Sequence, residues 1–246
     1  MSEIHEVHAR RIYDSCGIPA VEVEVVLKSG ITGTASCPAV QQISGNDVSA
    51  VLNSISPELE GLDVIDQPVI DRAVTEAAGN VDCSVTFSVS LACARAAAEF
   101  QELPLFRYLG GVLSCRIPEC IYCVKEQFFR FAETGTFSGD FKQAMAALSA
   151  GDEADLRPIS DLPGTAVIPA ECGTVSAALK TAEKIHRSGR TVLFRQIDST
   201  GDDGLADLAV AANAAFLLPG QEAQIIVGNR LLRIGEMLGD QAEYGA

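Results

Sequence analysis

Alternating apolar and polar positions open the chain and then give way to helical spacing. Residues 4–13 and 20–27 are rich in β-branched and apolar side chains, and the turn formers Asp14-Ser15-Cys16-Gly17-Ile18-Pro19 separate them. Lys28-Ser29-Gly30 leads to a third short run, Ile31–Cys37. Val21, Val23 and Val25 alternate with Glu22, Glu24 and Val26, so the pattern predicts a three-stranded antiparallel meander with one buried face. From Asn46 the period changes, with Val48, Val51, Leu52 and Ile55 at helical spacing. Ser88–Gln101 is apolar and Ala-rich, a composition that favours helix and permits close packing. Leu103–Leu109 then ends at Gly110-Gly111, which reads as a hinge. A meander followed by helices makes residues 1–111 an α+β domain.

Residues 112–246 alternate strand with helix. Strand-like runs fall at Ile117–Val124, Phe128–Ala132, Ala166–Ile168, Thr191–Phe194 and Ala215–Leu218. Helical runs fall near Phe137–Ser149, Thr174–Ser188, Asp203–Ala214 and Ile225–Leu238, and the polar segment Gly151–Gly164 reads as a loop between two clusters. Alternation of this kind implies parallel βα units. A closed eight-stranded (β/α) barrel takes ~250 residues, about twice the length of this half of the chain. The second domain is therefore expected to be an α/β partial barrel of the TIM type.

Charge narrows the function classes. Lys+Arg 18 against Asp+Glu 33 leaves a net charge of −15. Such a surface repels polyanions, so nucleic acid is not expected as a partner. No run reaches the ~20 apolar residues of a membrane span, and Met1–Glu6 lacks the basic flank and apolar run of a signal peptide. Eight cysteines in 246 residues are too few for a disulfide scaffold. Together these point to an intracellular protein, cytoplasmic or associated with the cytoskeleton.

Three residue groups have spacings that bear on chemistry. Cys115-x4-Cys120-x2-Cys123, with Cys172 as a distant fourth, has iron–sulfur spacing, but Ile117–Val124 reads as a strand and would point its cysteines to opposite sides. His5, His8 and His186 are the only histidines, and none sits in a triad or hydrolase motif. Gly201-Asp202-Asp203-Gly204 reads as a turn before a helix.

The longer blocks carry a family resemblance. Ala9-Arg10-Arg11-Ile12-Tyr13-Asp14-Ser15-Cys16-Gly17-Ile18-Pro19-Ala20-Val21-Glu22-Val23-Glu24 resembles A-R-x-I-x-D-S-R-G-N-P-T-V-E-V-E of the enolases. Asp63–Gln67, Val89–Ala98 and Pro104–Leu109 come next, in the family's order. So do Ala206-Asp207-Leu208-Ala209-Val210, Asn229–Ile234 and Leu238-Gly239-Asp240. The resemblance implies an enolase-like N-terminal domain and then a barrel. It also implies magnesium held by three carboxylates, a lysine base, a glutamate acid, a mobile serine loop and a His-Arg-Ser clamp that together interconvert 2-phosphoglycerate and phosphoenolpyruvate.

Most of that machinery has no counterpart here. The mobile loop meets Pro38–Gly45 without a clear metal-binding serine, and the strands that would carry the metal carboxylates fall in a deletion near Pro158–Ala166, where Asp161 stands alone. The lysine base aligns with Ile168. The clamp aligns with Arg195, Gln196 and Ile197, and a later lysine with Leu218. Glu153, in Gly151-Asp152-Glu153-Ala154, is the retained candidate for the catalytic acid, and Glu126-Gln127-Phe128 stands for Q-E-F. Without metal, base or clamp these carboxylates read as solvated. The expectation is a catalytically degenerate enolase relative, with no cofactor and no metal site, that serves as a structural or interaction subunit. A partner protein or a second copy would cover its open barrel edge. Arg10 and Leu231–Glu236, where Gly235 replaces a family glutamate, are the implied dimer contacts. The alternative is a minimal magnesium-dependent phosphopyruvate hydratase that uses Glu153.

Overall fold

The structure is a computed structural model, and it describes residues 1–14, 17, 19–37, 45–79, 81, 83–124, 127–131, 164–169, 173–196, 201–220 and 223–244. The meander forms as expected from strands β1 (Ile4–Tyr13), β2 (Pro19–Leu27) and β3 (Thr32–Cys37), in the order β1-β2-β3 with both pairings antiparallel. Val21, Val23 and Val25 are fully buried, while Glu22 and Glu24 on the other face receive Arg10.

The helical stretch after the meander has an unforeseen interruption. Helix α1 (Gly45–Ala50) continues through a π-helical segment, Val51–Ile55, into α2 (Ser56–Leu59). A π segment adds a residue per turn and shifts the phase of a face. Val51, Ile55 and Leu59 are buried, while Leu52, which shares the expected helical spacing, is 42% exposed. Helix α3 (Gln67–Ala78) is an element that the hydrophobic pattern does not announce. Asp66 caps it by accepting from the Val69 N–H, and Pro68 occupies its first turn.

Helix α4 (Cys83–Phe100) begins five residues before the expected start. Two of its hydroxyls bond back to the helix, Thr86 Oγ donating to the Cys83 carbonyl and Ser88 Oγ to that of Ser84. The helix can therefore be buried nearly all round. β3 lies directly on it: a Cβ at Gly33 would stand 2.2 Å from the Ala92 carbonyl oxygen and 2.4 Å from the Ala96 nitrogen.

Gly110-Gly111 is a packing point rather than a hinge. Gly110 closes α5 (Leu105–Gly110), and a Cβ there would lie 2.4 Å from the carbonyl oxygen of Ala211, far along the chain. A short 3₁₀ turn, Gly111–Leu113, leads into β4 (Arg116–Ile117).

The second half alternates as expected: β5 (Glu119–Val124), β6 (Gln127–Phe131), β7 (Thr165–Pro169), α6 (Val175–Arg187), β8 (Thr191–Arg195), α7 (Gly204–Ala211), β9 (Phe216–Leu218) and α8 (Gln224–Leu238). The sheet order is β6-β5-β9-β8-β7; β5, β9, β8 and β7 run parallel, and β6 returns antiparallel along β5. The expected helix at Phe137–Ser149 and loop at Gly151–Gly164 lie outside the described residues, apart from Gly164. A last strand, β10 (Glu243–Tyr244), pairs with β4. One buried apolar cluster runs from Ile4 in β1 to Leu238 in α8.

Candidate functional site

In parallel α/β sheets, ligands meet the carboxyl ends of the strands. Here the ends of β7, β8 and β9 stand side by side, with Ile168 beside Phe194, Phe194 beside Leu217, Pro169 beside Arg195, and Arg195 beside Leu218. Strand alternation divides them between two faces. Ile168, Phe194 and Leu217 join the main core, whereas Leu193, Phe216 and Leu218 form a separate buried cluster on the face they share with Arg195. The position aligned with the lysine base therefore turns into the core, away from Arg195 and Leu218.

Gln196 comes directly after β8 and is buried. Its N–H donates to the Leu218 carbonyl at 2.9 Å, and its Oε1 accepts from the Gly220 N–H at 3.3 Å. That amide is occupied in joining two strand ends. The strand ends thus gather Ile168, Arg195, Gln196 and Leu218, one cation among neutral or apolar groups. Glu153, Glu126, Asp161, Ile197 and Pro38–Ser44 lie outside the described residues. Among the described residues, no three of His, Cys, Asp or Glu converge. These residues do not form the oxygen cage that a hard divalent cation requires.

Of the cysteines at iron–sulfur spacing, Cys172 lies outside the described residues. Cys120 is buried in β5, and half-buried Cys115 lies 3.8 Å from Arg107 Nη1. His8 approaches Glu6 on the exposed side of β1, and His186 Nε2 meets the Ala212 carbonyl oxygen at 3.0 Å.

Sequence reasoning misses a charged cluster between the meander, α4, α7 and α8. Arg95 grips Asp202 with both terminal nitrogens at 2.7 Å, and it also reaches Asp203 at 2.8 Å and the Thr34 carbonyl at 2.7 Å. Asp202 in turn accepts from the backbone N–H groups of Ser36 and Gly204. Burial opposes charge on Arg95, but Asp202 and Asp203 outweigh it and raise its pKa. Beside this pair, Asp207 is 1% exposed and is held by Arg230 through two bonds of 2.7 Å, with the Phe106 N–H donating at 3.2 Å. Burial pushes the Asp207 carboxyl up, and Arg230 opposes that rise.

Arg95, Asp203, Asp207 and Arg230 line a cleft of ≈ 870 Å³ together with Glu99 and Glu102. Arg95, Arg230, Asp202 and Asp207 are all engaged with one another, so the cluster joins segments and leaves no poised base. Its signal is present in the sequence: Arg95 interrupts an Ala-rich helix, and Asp207 interrupts Leu-Ala-Asp-Leu-Ala.

No family model matches the chain. Among curated proteins, it is 41% identical over 142 residues to the enolase of Natranaerobius thermophilus, covering 48% of this chain and 33% of that protein. It is 34% identical over 181 residues to enolase 2 of Pseudomonas syringae pv. syringae, covering 58% of this chain and 42% of that one. The chain thus spans between a third and little more than two-fifths of the length of these relatives. Over these stretches the chain is similar to enolases, and the similarity reaches only part of each relative.

Proposed function

We propose that this chain is an enolase relative without phosphopyruvate hydratase activity, and that it serves as a structural or interaction subunit of a larger cytoplasmic assembly. The five-stranded sheet and its helices are then part of a (β/α) barrel of the TIM type. The observation that carries the reading is the set of side chains at the ends of β7, β8 and β9. Ile168 cannot accept a proton and is buried in the core, Leu218 cannot replace a lysine, and the Gln196 amide is committed to Gly220. Meanwhile the groups that hold the scaffold together, from Arg95 to Arg230, are fully engaged.

A second copy is the partner that the family's geometry implies. On β1, Arg10 pairs with Glu22 and Glu24 of its own chain. On α8, Leu232, Arg233, Glu236 and Met237 are exposed on the outer side. Light scattering at micromolar concentration is expected to show a mass above one chain, and a stable monomer would remove this partner.

Turnover gives the direct test of activity. Purified protein with excess Mg²⁺ and 2-phosphoglycerate is expected to show no rise in phosphoenolpyruvate absorbance above the blank. Turnover that vanishes in E153Q would instead establish the minimal hydratase.

A further inference from the structure

Helix α6 carries a cationic stripe on a strongly acidic protein. Val175, Ala178 and Ala182 are its buried face, and Thr174 caps its start by accepting from the Ala177 N–H. Lys180, Lys184 and Arg187 are exposed at spacings of four and three, which places them along one line of the helix. The stripe is about 10 Å long at 1.5 Å per residue. Arg190, also exposed, extends it past the helix end, where its Nη2 donates to the Thr165 carbonyl at 3.2 Å.

Its neutralisation is incomplete. Glu183 reaches Arg187, but the two side chains are 59% and 75% exposed, so that pair is weakly held. Among the described residues, Lys180 and Lys184 have no ion-pair partner. Four cations against one carboxylate contrast with a chain whose net charge is −15.

We infer that this stripe docks a short acidic segment of a partner protein, with Asp or Glu side chains repeating at about one helical turn. Size and field select that class. A duplex or an anionic membrane presents dense negative charge well beyond 10 Å, and the rest of this surface would repel it. A short peptide confines its carboxylates to the stripe, and the Debye length of about 8 Å at physiological salt screens the remaining negative charge. Complementary charge of this kind supplies register and on-rate. The inference gives the proposed interaction role a partner chemistry and rests on that reading, yet the two fail separately. Hydratase turnover would overturn the loss of catalysis and leave the stripe untouched.

The probe is a fluorescein-labelled hexaglutamate peptide tracked by anisotropy with the whole chain at physiological ionic strength. Saturable binding is expected. It should weaken at least roughly tenfold in K180E/K184E, stay unchanged in R72E on α3, and fade as salt is raised. Both lysines are exposed, so circular dichroism melts of the variants should match the parent and separate lost docking from lost folding. Three results would each overturn the proposal: no binding, binding indifferent to K180E/K184E, or tighter binding of an oligonucleotide or phosphatidylserine vesicle at the same residues.

Discussion

The Asp207–Arg230 pair sets burial against a guanidinium at one carboxyl group. Burial raises the Asp207 pKa, while the two guanidinium bonds from Arg230 and its charge oppose the rise. An acid whose folded pKa lies above its unfolded value contributes fully below the unfolded pKa, near 4, and that contribution is lost as pH rises through the folded pKa. Replacing Arg230 with Met removes the opposing charge and drives the folded pKa higher still. R230M is therefore expected to cost about 3–5 kcal/mol at pH 7, where the carboxylate is left buried and unpaired. The cost should shrink as pH falls toward 4 and Asp207 takes up a proton. Urea midpoints of both proteins at pH 7 and pH 4.5 check this, and an equal gap at the two values would contradict the account. The same scale explains a limit on reading the site. The motif resemblance sets position 168 against the family's lysine, but counting along a motif does not report which face of a strand a residue occupies. Only the pairing of Ile168 with Phe194 shows that it points into the core.

Elements were legible wherever one physical period dominated. Valine alternation in β2 and the apolar stripes of α6 and α8 gave boundaries within one or two residues of those observed. Misses arose where side chains altered the rule locally. Leu52 is exposed within a π segment, and polar Ser84, Thr86 and Ser88 concealed the first turn of α4, where the Thr86 and Ser88 hydroxyls bond back to the helix. The charged cluster was hidden for a different reason: a charge on a helix looks solvated until the packing of distant elements is known. Close packing of β3 on α4 makes a sharp test at this scale. A methyl at Gly33 would meet backbone atoms of Ala92 and Ala96, which cannot move without displacing the helix. G33A is therefore expected to destabilise by roughly 3 kcal/mol or more, as overpacking against backbone does. At Gly30 a Cβ meets nothing within 4 Å, although φ is +84°, so G30A pays only for conformation, about 1 kcal/mol. Thermal melts of the two variants should separate by several degrees.

Across the whole molecule, the meander and the parallel sheet are not joined by a loose connection. α4 lies on β3, and its Arg95 clamps Asp202 and Asp203 just before α7. Thr86 Oγ donates to the Gly173 carbonyl, and Ser90 Oγ and Asp71 accept the first N–H groups of α6 from Val175 and Ser176. Gly110 presses on Ala211, and the buried apolar cluster is continuous from Ile4 to Leu238. Opening either half would expose apolar surface and leave several buried polar groups unpaired in the other, at a cost of about 1–3 kcal/mol for each such group. The two halves should therefore unfold together, although their secondary structures differ. Cys93 offers a local probe, since its thiol is fully buried in α4 and burial raises its pKa, leaving it unreactive in the folded chain. Its alkylation along a urea series, read by peptide mass, is expected to track the far-ultraviolet dichroism transition with the same midpoint. Protection of Cys93 that persists beyond the loss of half the dichroism would instead mark the meander and its helices as an independently stable unit.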